Sequence, residues 1–162
     1  MISRVRVLSM VVEDHPGVLE RVASQVRRRG FNIQALSVGP VDAGRSRMTV
    51  TVDAGHAEVD QVAKQVNKLV EVIDVHDITD EPIVSRELIV AKLALGEDQR
   101  ELAAARISEA GGRVVDAANG HVIVETTAEP TEVESYLSLL RPYGLVEFAR
   151  SGPVAMRRTA TK

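Results

Sequence analysis

Cysteine is absent from the chain. Disulfides, thiolate metal sites and cysteine nucleophiles are therefore excluded, and the composition suits a reducing compartment. Aromatic residues are almost absent as well: Phe31, Tyr136, Tyr143 and Phe148 are the full set, with no tryptophan. A core has to be assembled from Val, Leu, Ile and Ala. The charge balance shows no excess of positive sign, the formal net charge being −3, so there is no electrostatic case for a nucleic-acid partner. No run approaches the ~18 apolar residues that a membrane span requires. The opening stretch MISRVRVLSMVV is basic and then apolar, but it meets EDHP with no small-residue cleavage site, which reads against a signal peptide. A cytoplasmic protein is expected.

What is present is the mixture of a folded globular chain: 44% hydrophobic and 27% charged residues, too apolar for disorder. The first half reads in six pieces. RVRVLSMVV alternates as a strand does. Val18, Leu19, Val22, Ala23 and Val26 recur at helical spacing, Arg27 to Arg29 complement the C-terminal dipole, and Gly30 terminates the helix. FNIQALSVGP alternates again, VDAGR turns the chain, and SRMTVTVD returns as a hairpin partner. Val59, Val62, Ala63, Val66 and Leu69 mark a second helix, and VEVIDVHDI closes a βαββαβ unit.

After TDEPIVSR, read as a short linker, the order repeats. ELIVAKLAL is strand-like, and residues 98–110 suit a helix with Leu102, Ala105, Ile107 and Ala110 inward. GRVVDAA and HVIVETT are strands joined at Asn119-Gly120, a dipeptide suited to a hairpin turn with both positions at positive φ. Residues 131–142 carry Val133, Leu137 and Leu140 at helical spacing, and LVEFARSG is a final strand. The fold class is α+β: two ferredoxin-like βαββαβ domains in tandem, 1–79 and 80–162. Each leaves one sheet face without helices and each is small, so a homodimer is expected.

Catalytic constellations are missing from the pattern. His15, His56, His76 and His121 are scattered, with no metal-ligand spacing among them. There is no phosphate loop, no G-x-G-x-x-G after a strand and no nucleophile elbow. The strands also lack the paired aromatics with which RNA-binding relatives of this fold stack bases.

The segment EDHPGVLERV is the informative one. A helix start offers free N–H groups and the positive end of a dipole, which together hold a carboxylate. Gly17 permits close approach, Pro16 fixes φ where a missing N–H costs little, and Asp14 either caps the helix or accepts bonds from an ammonium. Asn32, just beyond the helix, both donates and accepts. These parts suit a zwitterionic amino acid; they also suit plain helix capping, and spacing alone leaves both open.

EDHPGVLERV resembles the ACT domain, a module that binds amino acids and regulates metabolic enzymes. The longer run VLSMVVEDHPGVLERVASQVRRRGFNIQALSVGP, with SRMTVTV, QVNKLVEVIDV, SRELIVAKL, GGRVVDA and VEFARSGPVAMRR, is similar to the small regulatory subunit of acetolactate synthase (acetohydroxyacid synthase) over nearly the whole chain. The resemblance implies a chain without catalytic activity: residues 1–79 an ACT domain for amino-acid binding and dimerisation, residues 80–162 a C-terminal regulatory domain. It implies activation of a separate catalytic subunit and feedback inhibition by valine or another branched-chain amino acid. Thiamine diphosphate, FAD and Mg²⁺ are then expected in that catalytic subunit and no cofactor in this chain. It also implies an effector site at the seam of two ACT domains, with Asp14, His15, Pro16, Gly17, Val18 and Leu19 of one chain opposite Asn32 and Ile33 of the other. Some family members carry Asn where this chain has Asp14, and a carboxylate there repels an effector carboxylate, so Asp14 is assigned to capping or to the ammonium side. A free-standing ACT-domain sensor serving a different partner is the alternative. The exposed-looking basic segment ARSGPVAMRR reads either as a solvated tail or as a contact to the catalytic subunit.

Overall fold

The computed structural model describes residues 5–53 and 56–159. Its first unit runs β1 (Val5–Glu13), α1 (Val18–Arg28), β2 (Ile33–Asp42), β3 (Arg45–Asp53), α2 (His56–Val66) and β4 (Val72–Asp77). The four strands form an antiparallel sheet in the order β2-β3-β1-β4. Strand periodicity sends Leu8, Met10 and Val12 of β1, with Met48, Val50 and Val52 of β3, to one face. Against them pack Val18, Val22 and Val26 of α1 and Val59, Val62 and Val66 of α2, each set at i, i+3/i+4 spacing. Phe31, Ile33, Leu36 and Leu69 border this core. The interior is almost wholly aliphatic, as the scarcity of aromatics requires.

The second unit repeats the plan with β5 (Ile83–Ala94), α3 (Arg100–Glu109), β6 (Arg113–Ala118), β7 (His121–Ala128), α4 (Val133–Leu140) and β8 (Leu145–Arg150). Its strand order is β6-β7-β5-β8. Ile89, Ala91 and Leu93 meet Val133, Tyr136, Leu137 and Leu140 in the core. At the β6–β7 turn Asn119 and Gly120 have φ of 51° and 77°, the paired positive values expected of this hairpin dipeptide.

Four expectations need correction. The TDEPIVSR segment is linker only up to Pro82, because β5 already begins at Ile83 within it. β4 begins at Val72, so Val70 and Glu71 belong to the preceding turn. On α3 the buried residues are Ala103 and Ile107, while Leu102, Ala105 and Ala110 face solvent. Ala103, Ala104 and Ala105 lie on successive sides of this helix, so apolar spacing alone did not single out a face.

The last correction concerns ARSGPVAMRR, which is not a loose tail. It forms β9 (Val154–Arg157), paired with β5, with Ala155 buried. Arg157 makes a two-point ion pair with Glu81, and the Arg158 amide donates to the Pro82 carbonyl at 2.8 Å. Grouped by proximity, the described residues through Val84 and from Pro153 onward form one unit and Ser85–Gly152 the other.

Candidate functional site

The turn Asp14–Gly17 joins β1 to α1. Pro16 and Gly17 end the extended path, and Gly17, at φ 93° and ψ −13°, occupies the N-cap position in the left-handed region. No side chain caps α1; the Val18 amide turns back to the His15 carbonyl at 3.5 Å, and the Leu19 and Glu20 amides are the first-turn donors left to solvent or a ligand. The capping role considered for Asp14 is therefore not what the structure shows. Asp14 is exposed, and its contribution to the turn is its backbone N–H, which donates to the Gly44 carbonyl at 2.8 Å. His15 lies between the Glu13 carboxylate at 3.3 Å and the Pro16 carbonyl at 3.2 Å. A Cβ built on Gly17 would meet nothing within 4 Å; the position is open space in front of a helix start.

The apolar members divide. Val18 is 3% exposed and belongs to the core, so only its backbone faces the turn. Leu19, 44% exposed, offers its side chain to the outside. Asn32 is exposed at the far end of α1, where its carbonyl accepts from the Asp53 amide at 3.3 Å. Ile33 opens β2, opposite Val52, and is partly buried against the core. An 11-residue helix separates the two groups, roughly 16 Å at 1.5 Å per residue. Within one chain the structure brings Asp14–Leu19 together and keeps Asn32 and Ile33 apart from them.

The turn shares its end of the sheet with the β2–β3 hairpin. Glu13 pairs with Arg45, Asp42 pairs with Arg45, and Asp14 bonds to Gly44. Asp14–Gly17 thus lies where β2 finishes, and Asn32 where β2 starts. β2 is an edge strand, and its sequence IQALSVGPVD places no Lys, Arg or Glu along that edge. Charged and irregular residues are the usual protection of a free edge; here a register shift between Ile33 and Ala35, Pro40 with the bulge beside it, and the terminal Asp42 interrupt the strand.

Sequence reasoning passed over Glu71, the buried acid beside this turn. Its Oε1 lies 2.6 Å from Arg21 Nη1 on α1. Among the described residues no group of three or more His, Asp or Glu side chains could hold a metal, and no helix is long and apolar enough to cross a membrane.

A four-stranded β2-β3-β1-β4 sheet with two helices on one face is a ferredoxin-like βαββαβ unit, the arrangement that ACT domains share with other modules. Comparison with known proteins decides between them. Residues 8–74 match the model of the AHAS small subunit-like ACT domain, and residues 86–159 match that of the small subunit of acetolactate synthase. An acetolactate synthase small subunit from Mycobacterium bovis is 39% identical over 98% of this chain and 95% of its own length. One from Aquifex aeolicus is 36% identical over 96% and 82%. The crystal structure of the small subunit from Thermotoga maritima superposes with a TM-score of 0.87 at 34% identity, covering 98% of this chain and 99% of that one. The chain belongs to the family of acetolactate synthase small subunits and is a regulatory rather than a catalytic polypeptide.

Proposed function

We propose that two copies of this chain join through their β2 edges and that a branched-chain amino acid binds at the seam, adjusting a catalytic subunit that this chain activates. One observation carries the reading: the turn Asp14–Gly17 sits at the finishing end of an edge strand without Lys, Arg or Glu, whose starting end carries Asn32. If two β2 strands pair antiparallel around a two-fold axis, the start of each lies beside the finish of the other. Asn32 and Ile33 of one chain then come up against Asp14, His15, Pro16, Gly17 and Leu19 of its mate. The two groups that α1 holds apart within a chain become two walls of one pocket.

The chemistry follows from the parts. The uncapped α1 amides hold the effector carboxylate beside Gly17, where no Cβ intrudes. Asn32 and the Asp14 carboxylate take the ammonium side. Leu19 and Ile33 meet the aliphatic side chain, and Val18 contributes backbone alone. Valine, leucine and isoleucine fit this description, and a methylene between them is worth only ~1–3 kcal/mol.

The partner is the acetolactate synthase catalytic subunit, a cytoplasmic enzyme that holds thiamine diphosphate, FAD and Mg²⁺. Feedback inhibition requires the effector to bind one quaternary state more tightly than another; ten-fold preference corresponds to about 1.4 kcal/mol.

Gly17→Asp tests the site. It places a carboxylate in the effector's path and an L-residue at positive φ. The reconstituted enzyme should lose valine inhibition while the small subunit still raises catalytic activity. Undiminished valine sensitivity in this variant would contradict the assignment.

A further inference from the structure

Among the described residues of the first unit, Glu71 is the one buried carboxylate, 8% exposed. It lies in the turn between α2 and β4, fifty or more positions from the β1–α1 turn in sequence, yet it holds that turn from both sides. Its carbonyl accepts from the Glu13 amide at 2.8 Å, and Glu13 is the residue before Asp14. Its carboxylate accepts from Arg21 at 2.6 Å, and the Arg21 amide itself donates to the Gly17 carbonyl at 3.1 Å. One residue therefore ties the strand that enters the turn to the helix that leaves it. A groove of about 440 Å³ bordered by Gly17, Arg21, Ser24 and Leu69 runs beside the pair.

A carboxylate added for solubility belongs on the surface. Burying one costs free energy that a single, half-exposed arginine offsets only in part, so the pair is a poor source of stability. What the pair does supply is geometry. It fixes the distance between the end of β1 and the first turn of α1, where the open amides stand. We propose that Glu71, through Arg21, is the positioning residue of the effector turn, holding the α1 amides where a bound carboxylate meets them. This rests on the effector site described under Proposed function and adds the residue that sets its shape.

The test uses the full-length protein, with valine, leucine and isoleucine titrated calorimetrically and thermal midpoints recorded alongside. Glu71→Gln keeps the volume and removes the charge. It should weaken binding of the preferred amino acid roughly ten-fold. Arg21→Gln, at an exposed side chain, should do the same without endangering the core, the double variant should be no worse than either single one, and Arg21→Lys should recover part of the loss. Lowered midpoints with unchanged affinity in both single variants would show a merely structural pair and overturn the proposal. If the wild-type protein binds none of the three amino acids, the effector site itself is refuted and this proposal falls with it.

Discussion

Tyr136 carries its hydroxyl into the second core without a hydrogen-bond partner. The residue is 6% exposed, and burial pushes its phenol above the ordinary value of 10.0. The hydroxyl stands over Gly112: a Cβ built there would lie 2.2 Å from it and 2.9 Å from Ile107 Cγ2. Gly112→Ala should accordingly lower stability by about 1–3 kcal/mol through overpacking. Tyr136→Phe forfeits no hydrogen bond and should be neutral or stabilising, and it should relieve part of the Gly112→Ala cost. Urea unfolding of the two single variants and the double variant measures this; additive effects would contradict the contact. Nothing in GGRVVDA announces the need for the second glycine, because the atom that requires it arrives from a tyrosine 24 positions later. Glu71 escaped for the same reason. In VEVIDV it reads as the outward member of an alternating strand, and its partner Arg21 reads as a solvated position on α1. Gly17 was legible because its requirement is local: a strand must become a helix within four residues.

At the scale of elements, β1 and β4 are tied at their outer ends by charge. Arg6 bonds to Asp77 at 2.6 Å and to Asp80 at 2.8 Å, and Thr79 donates to Asp77 through both its amide and its hydroxyl. Desolvation pushes the Asp77 carboxyl up, but the hydrogen bonds from Thr79 and Arg6 outweigh it and hold the group below its ordinary 3.8. A depressed carboxylate stabilises the fold above the unfolded value and loses that contribution as pH falls through the folded one. The first unit should therefore lose stability as pH drops below about 4. Asp77→Asn should reduce stability at neutral pH and flatten that acid-side slope. Thermal melts from pH 7 to pH 3 check this, and an unchanged slope in the variant would contradict the assignment. Most elements were readable from periodicity, since aliphatic stripes on α1, α2 and α4 leave one choice of inward face. α3 was misread where alanines surround the helix and periodicity carries little information. β9 was misread because a short segment with exposed Val154, Met156 and arginines looks solvated until Ala155 and the Arg157–Glu81 pair find their partners.

At the scale of the molecule, one chain holds both halves of the candidate pocket but cannot close it upon itself. Asp14–Leu19 and Asn32–Ile33 stand at opposite ends of α1, each at one end of the open β2 edge. Tandem βαββαβ units were visible in the repeated element order. The cross-chain placement proposed for the site came from the family resemblance and not from spacing, because spacing along a sequence records nothing of a second copy. Mixed dimers test it most directly. Gly17→Asp and Asn32→Ala chains are prepared separately, each dimer being expected to bind no valine, and then combined and purified as heterodimers with two affinity tags. A pocket shared across the seam predicts that the heterodimer recovers one valine per dimer by calorimetry, at wild-type affinity, since one of its two pockets pairs an intact Gly17 with an intact Asn32. Heterodimers that bind no valine would contradict the shared pocket.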